Sequence, residues 1–293
     1  MFDDSTDNET VIQNIKYYVL GVLVATLIIF CHSLSQFGFQ NMVFESFRMG
    51  TSFEDYDVEN EMVTKMNPNQ LAFYSLTAFS LLLFVKGVYR SRLMAFIVMA
   101  FLVFVGILSA SRTWLIIMAI ALVSFFAFSR LKGKLSFIVI IVALFVAALQ
   151  FGSFSDAVYT RYNDRFEGAT VATAGHRVEI IHEYNQWLAS HPQRMVYGTG
   201  ALYYGNICMI RYSTHNSIQQ IIVCYGVLGL FLFLSFCIVF HVRYSKRHKS
   251  RIIYYLPFAL CFLFSQSGQL LNPVSMMLPF VAATLPLKLT REA

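Results

Sequence analysis

The sequence predicts an all-α integral membrane protein: a polytopic bundle of about eight transmembrane helices with one long, partly helical extracytoplasmic loop. Three observations predict it. Apolar residues make up 57% of the 293 positions and charged residues only 13%, too little charged surface to keep a soluble domain dissolved. Apolar runs close to membrane thickness recur along the chain, and basic residues gather between them.

A hydrocarbon core about 30 Å thick is crossed by about 20 helical residues. The runs that approach this length are Ile15–Leu34, Gln70–Val88, Leu93–Leu108, Thr113–Phe128, Leu135–Phe151, Ser217–Val242, Ile252–Leu271 and Val274–Leu287. The last holds Pro279 and Pro286, which remove ladder donors and fit a broken or re-entrant segment.

Lysine and arginine orient the bundle. Lys86, Arg90 and Arg92 follow the second run, and Arg130, Lys132 and Lys134 follow the fourth. Arg243, Lys246, Arg247, Lys249 and Arg251 follow the sixth, and Lys288 and Arg291 the eighth. Alternating spans put all four clusters on one side, the cytoplasmic one. The other side receives 35–69, the tight Ser109–Arg112 link and the long loop 152–216.

Within that loop, Ile180, Ile181, Tyr184, Trp187 and Leu188 recur at helical spacing. The segment Arg177–Ser190 is therefore an amphipathic helix laid against lipid or bundle. Arg177 heads its inward line, and Pro192 ends it. No repeat, low-complexity tract or separate soluble domain is visible, so residues 1–293 form one integral membrane domain. The acidic N-terminus lacks a basic n-region, so no cleaved signal peptide is expected.

Composition excludes several classes. A net charge of +6 distributed in loop clusters requires no nucleic acid. Cys31, Cys208, Cys224, Cys237 and Cys261 form no CxxC pair. His176, His182, His191 and His215 fit no zinc spacing, and Asp156, Asp164, Glu167, Glu179 and Glu183 are scattered. No Walker loop or GxGxxG occurs, so no metal or cofactor is expected.

Four motifs remain. Asn67-Pro68-Asn69-Gln70 opens the second span, where proline after a capping asparagine is ordinary helix-start chemistry. Ser109-Ala110-Ser111-Arg112-Thr113-Trp114 puts an arginine at the outer mouth, either as an interfacial anchor or as an anion ligand. Gly175-His176-Arg177 heads the amphipathic helix, where the arginine suits a phospholipid headgroup or a substrate phosphate. Thr214-His215-Asn216-Ser217 precedes Gln219 and Gln220. A helix cap explains Thr214 or Asn216 but not two glutamines one turn inside a span, which need a wet or protein-lined site.

In this order, with His191-Pro192, Gly198–Gly200, Gly226 and Gly229 completing the set, the motifs resemble the O-antigen polymerase/O-antigen ligase family from about Asn67 to Leu230. Members usually carry several more spans before the Asn-Pro-Asn segment, whereas this chain has one. The resemblance implies a GT-C-like glycosyltransferase of the bacterial inner membrane, its active site facing the periplasm, working without metal or nucleotide sugar. The implied substrate is an undecaprenyl-diphosphate-linked oligosaccharide, with membrane lipids, a chain-length regulator and a flippase as implied partners. By motif, Arg112 and Arg177 match the diphosphate-binding arginines and His215 the catalytic histidine. Asn69, Asn216, Gln219 and Arg211 become substrate-binding candidates, and Arg161 a lesser one. The motifs do not separate polymerase from ligase. A transporter would spread polar groups through the spans, whereas here they concentrate at one face.

Overall fold

The computed structural model describes residues 8–44, 68–128, 156, 158–160, 163, 177–200, 204–210, 214, 216–248, 252–266 and 274–289. Among the described residues every regular element is helical. Bundle helices are α1 (Asn8–Phe44), α2 (Pro68–Phe84), α3 (Arg92–Leu108) and α4 (Arg112–Phe128). Then come α5 (Arg177–Ser190), α6 (Pro192–Tyr197), α7 (Tyr204–Cys208), α8 (Ser217–His248), α9 (Leu256–Ser265) and α10 (Val274–Thr284).

Helix α2 is the axis, packed by α1, α3, α4, α9 and α10. It is apolar all round, the pattern of a helix with no free face, and Leu71 to Val85 are buried but for Tyr74. Its buried hydroxyls are satisfied within the helix. Ser75 donates to Ala72 O at 3.0 Å, Thr77 to Phe73 O at 2.8 Å and Ser80 to Thr77 O at 2.9 Å. Internal satisfaction is what lets polar side chains sit in an apolar layer.

Chain direction alternates around this axis. Phe30 on α1 meets Phe101 and Phe104 on α3 edge-on. Leu71 at the start of α2 clusters with Val105 and Leu108 at the end of α3. Phe73 stacks on Phe264 of α9 at 5.0 Å, and at the far end Phe84 meets Phe125 of α4 at 6.2 Å. The starts of α2, α4 and α8 and the ends of α3 and α9 therefore share one end of the bundle. Lys86, Arg90 and Arg92 lie at the other.

Among the described residues two helices are long and apolar enough to cross a membrane, Asn8–Ser35 and Ser217–Val239, with only 28% and 22% of their most apolar windows buried. A core helix of a soluble protein would be mostly buried, so these faces suit lipid. Five shorter apolar helices of 10–17 residues correspond to the expected second, third, fourth, seventh and eighth spans. The expected span Leu135–Phe151 lies outside the described residues. A count of eight is thus not established by helix length.

Two expected elements differ in detail. Pro192 does stop α5, but it also starts α6 as its first residue, where a missing N–H costs nothing. The sixth span is broken, because Gly226 adopts φ 70°, ψ −175° inside α8. The break leaves carbonyls of the preceding turn without helical donors. The turn after α6 supplies them: Thr199 N donates to Val223 O at 2.8 Å and Gly200 N to Cys224 O at 2.9 Å. Both backbones approach so closely that a Cβ on Gly198 would lie 2.3 Å from Cys224 backbone atoms.

Candidate active site

The shared end of the bundle is polar where the helix starts converge. Helix α3 reverses into α4 through Ser109-Ala110-Ser111, with Ala110 in the left-handed region at φ 49°. That conformation is uncommon for a residue with a Cβ. Ser111 Oγ accepts from Trp114 N at 3.4 Å, capping α4 so that Arg112 is its first residue, half-buried. The turn is locked by packing: a Cβ on Gly106 would lie 2.0 Å from the Trp114 ring. The indole N–H of Trp114 is buried and has no hydrogen-bond partner among the described residues.

Helix α8 starts against the end of α9. Ser217 Oγ donates to Ser265 O at 2.7 Å, and Asn216 Nδ2 to Gln266 O at 3.5 Å. Asn216 Oδ1 accepts from Gln219 N at 3.0 Å, so Asn216 is the N-cap. Gln219, one turn inside, is buried and turned toward α5. Its Nε2 donates to Ile181 O at 2.8 Å and to Asn185 Oδ1 at 3.2 Å. The glutamine that a cap could not explain is thus a tether between two helices.

That tether fixes the outer helix. Ile180, Tyr184 and Leu188 of α5 bury against Cys208, Val223 and Cys224, so the apolar stripe faces protein. Burial pushes the Cys208 thiol up to about 11, which makes it a packing group rather than a nucleophile.

The first turn of α8 lies beside Ile181 and Asn185 of α5, since Gln219 bonds to both. Asn69, half-buried, is one turn before Phe73, which stacks on Phe264 beside Ser265. Arg112 heads α4, a neighbour of both α2 and α9. Asn69, Arg112, Asn216 and Gln219 therefore lie at one end. Arg177 belongs there by its helix position, its side chain being outside the described residues, as are His215, Arg211 and Arg161.

Sequence reasoning missed Gln266, Asn185 and Ser265. The signal was present for two of them: Ser265 and Gln266 open a polar run inside the expected span Ile252–Leu271. Among the described residues, Gln219 Oε1 and Gln266 Oε1 are both buried acceptors without a partner. Each such group carries a desolvation cost of about 1–3 kcal/mol and is a ready acceptor for a hydroxyl donor. Among the described residues no cluster of His, Cys, Asp and Glu is arranged to hold a metal.

An all-helical, membrane-associated protein with a polar junction where helix starts converge is thereby defined. Residues 97–234 match the family described as O-antigen ligase (Wzy_C), which supports the resemblance to the O-antigen polymerase/ligase family. The matched stretch contains α4, α5 and the start of α8. No curated protein and no solved structure matches the chain.

Proposed function

We propose that the protein is a polysaccharide polymerase that transfers an undecaprenyl-diphosphate-linked glycan onto the acceptor sugar of another lipid-linked repeat. In this reading residues 1–293 form one domain with eight spans in the bacterial inner membrane. Residues 152–216 and the active site face outward. A flippase delivers the substrate and a chain-length regulator acts on the product. The observation that carries the reading is the Gln219 tether. It ties Ile181 and Asn185 of α5 to the first turn of α8, and the family match spans both helices, which supports a site formed by Arg177 and His215.

The chemistry follows from the bond being broken. The acceptor hydroxyl oxygen attacks the anomeric carbon, and the C–O bond to the diphosphate breaks with its electron pair leaving on the diphosphate oxygen. The hydroxyl proton goes to His215, a base poised near neutral pH, and is then released to water. Direct attack inverts the anomeric centre. Charge builds on the leaving diphosphate. Arg112 and Arg177 are suited to clamp it, because guanidinium stays ionised and binds phosphate through paired donors. Asn69, Asn216, Gln219 and Arg211 hold the sugars and phosphates in register.

The ligase reading differs only in acceptor, a lipid A–core in place of a lipid-linked repeat. Incubating the full chain in nanodiscs with lipid-diphosphate oligosaccharide, with and without lipid A–core, separates them. Ladders on the lipid carrier support polymerase, and transfer only when the core is supplied overturns it.

A further inference from the structure

Beyond the helix-start junction, the outer face of α5 borders an open groove of about 700 Å³ that the reaction chemistry does not use. Glu183, Gln186, Trp187 and Ser190 line it from α5, and residues 208–210 close the opposite side. Ligand sites commonly fall at about 300–1,000 Å³.

The lining is specific in kind. Trp187 supplies a broad apolar ring, held in place by His191 stacked on it at 4.4 Å. His191 Nδ1 is in turn within 2.9 Å of Trp187 O and 3.0 Å of Ser190 Oγ. Gln186 Nε2 is held by His182 Nε2 at 2.8 Å, which leaves the amide oxygen to accept from a ligand. Glu183 adds a carboxylate acceptor. Met209, at φ 56° and 94% exposed, caps the far wall.

We infer that this groove is a saccharide subsite, binding one or more neutral or amino sugar rings of the glycan at a distance from the reacting bond. An aromatic ring beside several hydrogen-bonding groups matches the alternating apolar and hydroxyl faces of a pyranose. A wholly apolar partner would strip water from Glu183 and Gln186 without replacing their hydrogen bonds. A phosphate is disfavoured because, among the described residues, the lining contains a carboxylate and no cation. Trp187 lies ten residues along α5 from Arg177, about 15 Å at helical rise, so the subsite engages sugars several rings away from the diphosphate. Binding there positions the chain and supports turnover through remote contacts.

The inference rests on the glycan reading above, and its test separates the two. The probe is the oligosaccharide repeat released by mild acid from the host's lipid carrier, titrated calorimetrically into the full chain in nanodiscs. Saturable binding is expected. It should weaken about tenfold in Trp187→Ala, a change of about 1.4 kcal/mol, and persist in Trp187→Tyr. Glu183→Gln, on the exposed face of the helix and harmless to packing, should weaken an amino sugar. Wild-type affinity in Trp187→Ala, or no binding to the wild type at millimolar probe, overturns the subsite. If Trp187 governs binding while Arg112→Ala still makes full polymer, the polymerase reading fails and the subsite stands. If Arg112→Ala abolishes polymer while Trp187→Ala binds normally, only the subsite fails.

Discussion

A Cβ on Gly226 would lie 2.0 Å from the carbonyl oxygen of Val196, so the end of α6 runs directly against the break in α8. Gly226 holds φ 70°, ψ −175°, a region open essentially to glycine alone. The break and its repair by Thr199 and Gly200 are one feature made by two segments. It anchors the outer helices to the bundle.

Gly226→Ala should therefore cost about 2–5 kcal/mol, combining backbone strain with overpacking. Gly21→Ala is the control, since none of the described residues lies within 4 Å of a Cβ there and a helical alanine is favoured by about 1 kcal/mol. Thermal unfolding of the two variants in the same detergent should move in opposite directions. Equal behaviour would mean that the break is not obligatory.

The break also shows where sequence reasoning stops. An isolated glycine in an apolar run reads as a continuous span, and the donors that rescue Val223 O and Cys224 O come from residues more than twenty positions earlier. By contrast α5 was legible from the Ile180, Tyr184 and Leu188 stripe, because its period survives in any environment. Alternation of direction was legible from the basic clusters. Gln219 was legible as anomalous but not as a tether, because its partners are the Ile181 carbonyl and Asn185, and a carbonyl has no sequence signature. His215 and the run Leu135–Phe151 lie outside the described residues.

Gly106→Ala should displace Trp114 and, through the Ser109–Ser111 turn, Arg112. The expected result is a loss of about 1–3 kcal/mol in stability with a larger loss of activity. A smaller ring in Trp114→Phe should recover part of the stability in the double variant. The interaction energy from the cycle is expected to be about 0.5–3 kcal/mol. Strict additivity would show that the two side chains do not meet.

Gln219→Leu removes two donated hydrogen bonds from α5. Loss of about 1–3 kcal/mol is expected, since the Ile181 carbonyl loses its side-chain donor, together with faster proteolysis within Arg177–Ser190. Limited proteolysis followed by mass spectrometry reads this directly. Cleavage kinetics like those of the wild type would show that α5 is held by its apolar stripe alone.

Cys208 gives a pH-dependent readout of the same module. Its ionisation is raised to about 11 by burial, so the reactive thiolate is scarce at pH 7 and increases as pH rises toward that value. Maleimide labelling of Cys208 in the folded protein, read on its peptide by mass spectrometry because Cys31 is also free and exposed, should be slow at pH 7 and faster by pH 10. Gly226→Ala should make it fast at pH 7 by loosening the cluster around Cys224. Rapid labelling of the intact protein at pH 7 would place Cys208 at the surface.

The most direct measurement is polymer formation by the full chain and its Arg112→Ala, Arg177→Ala and His215→Ala variants, each supplied with lipid-diphosphate oligosaccharide in nanodiscs. Electrostatic groups of this kind carry several kcal/mol in a dry site, so each loss should lower the rate by about 100-fold or more, with the protein still folded and in the membrane. Polymer of normal length and yield from Arg177→Ala or His215→Ala would contradict a catalytic site at these helix starts.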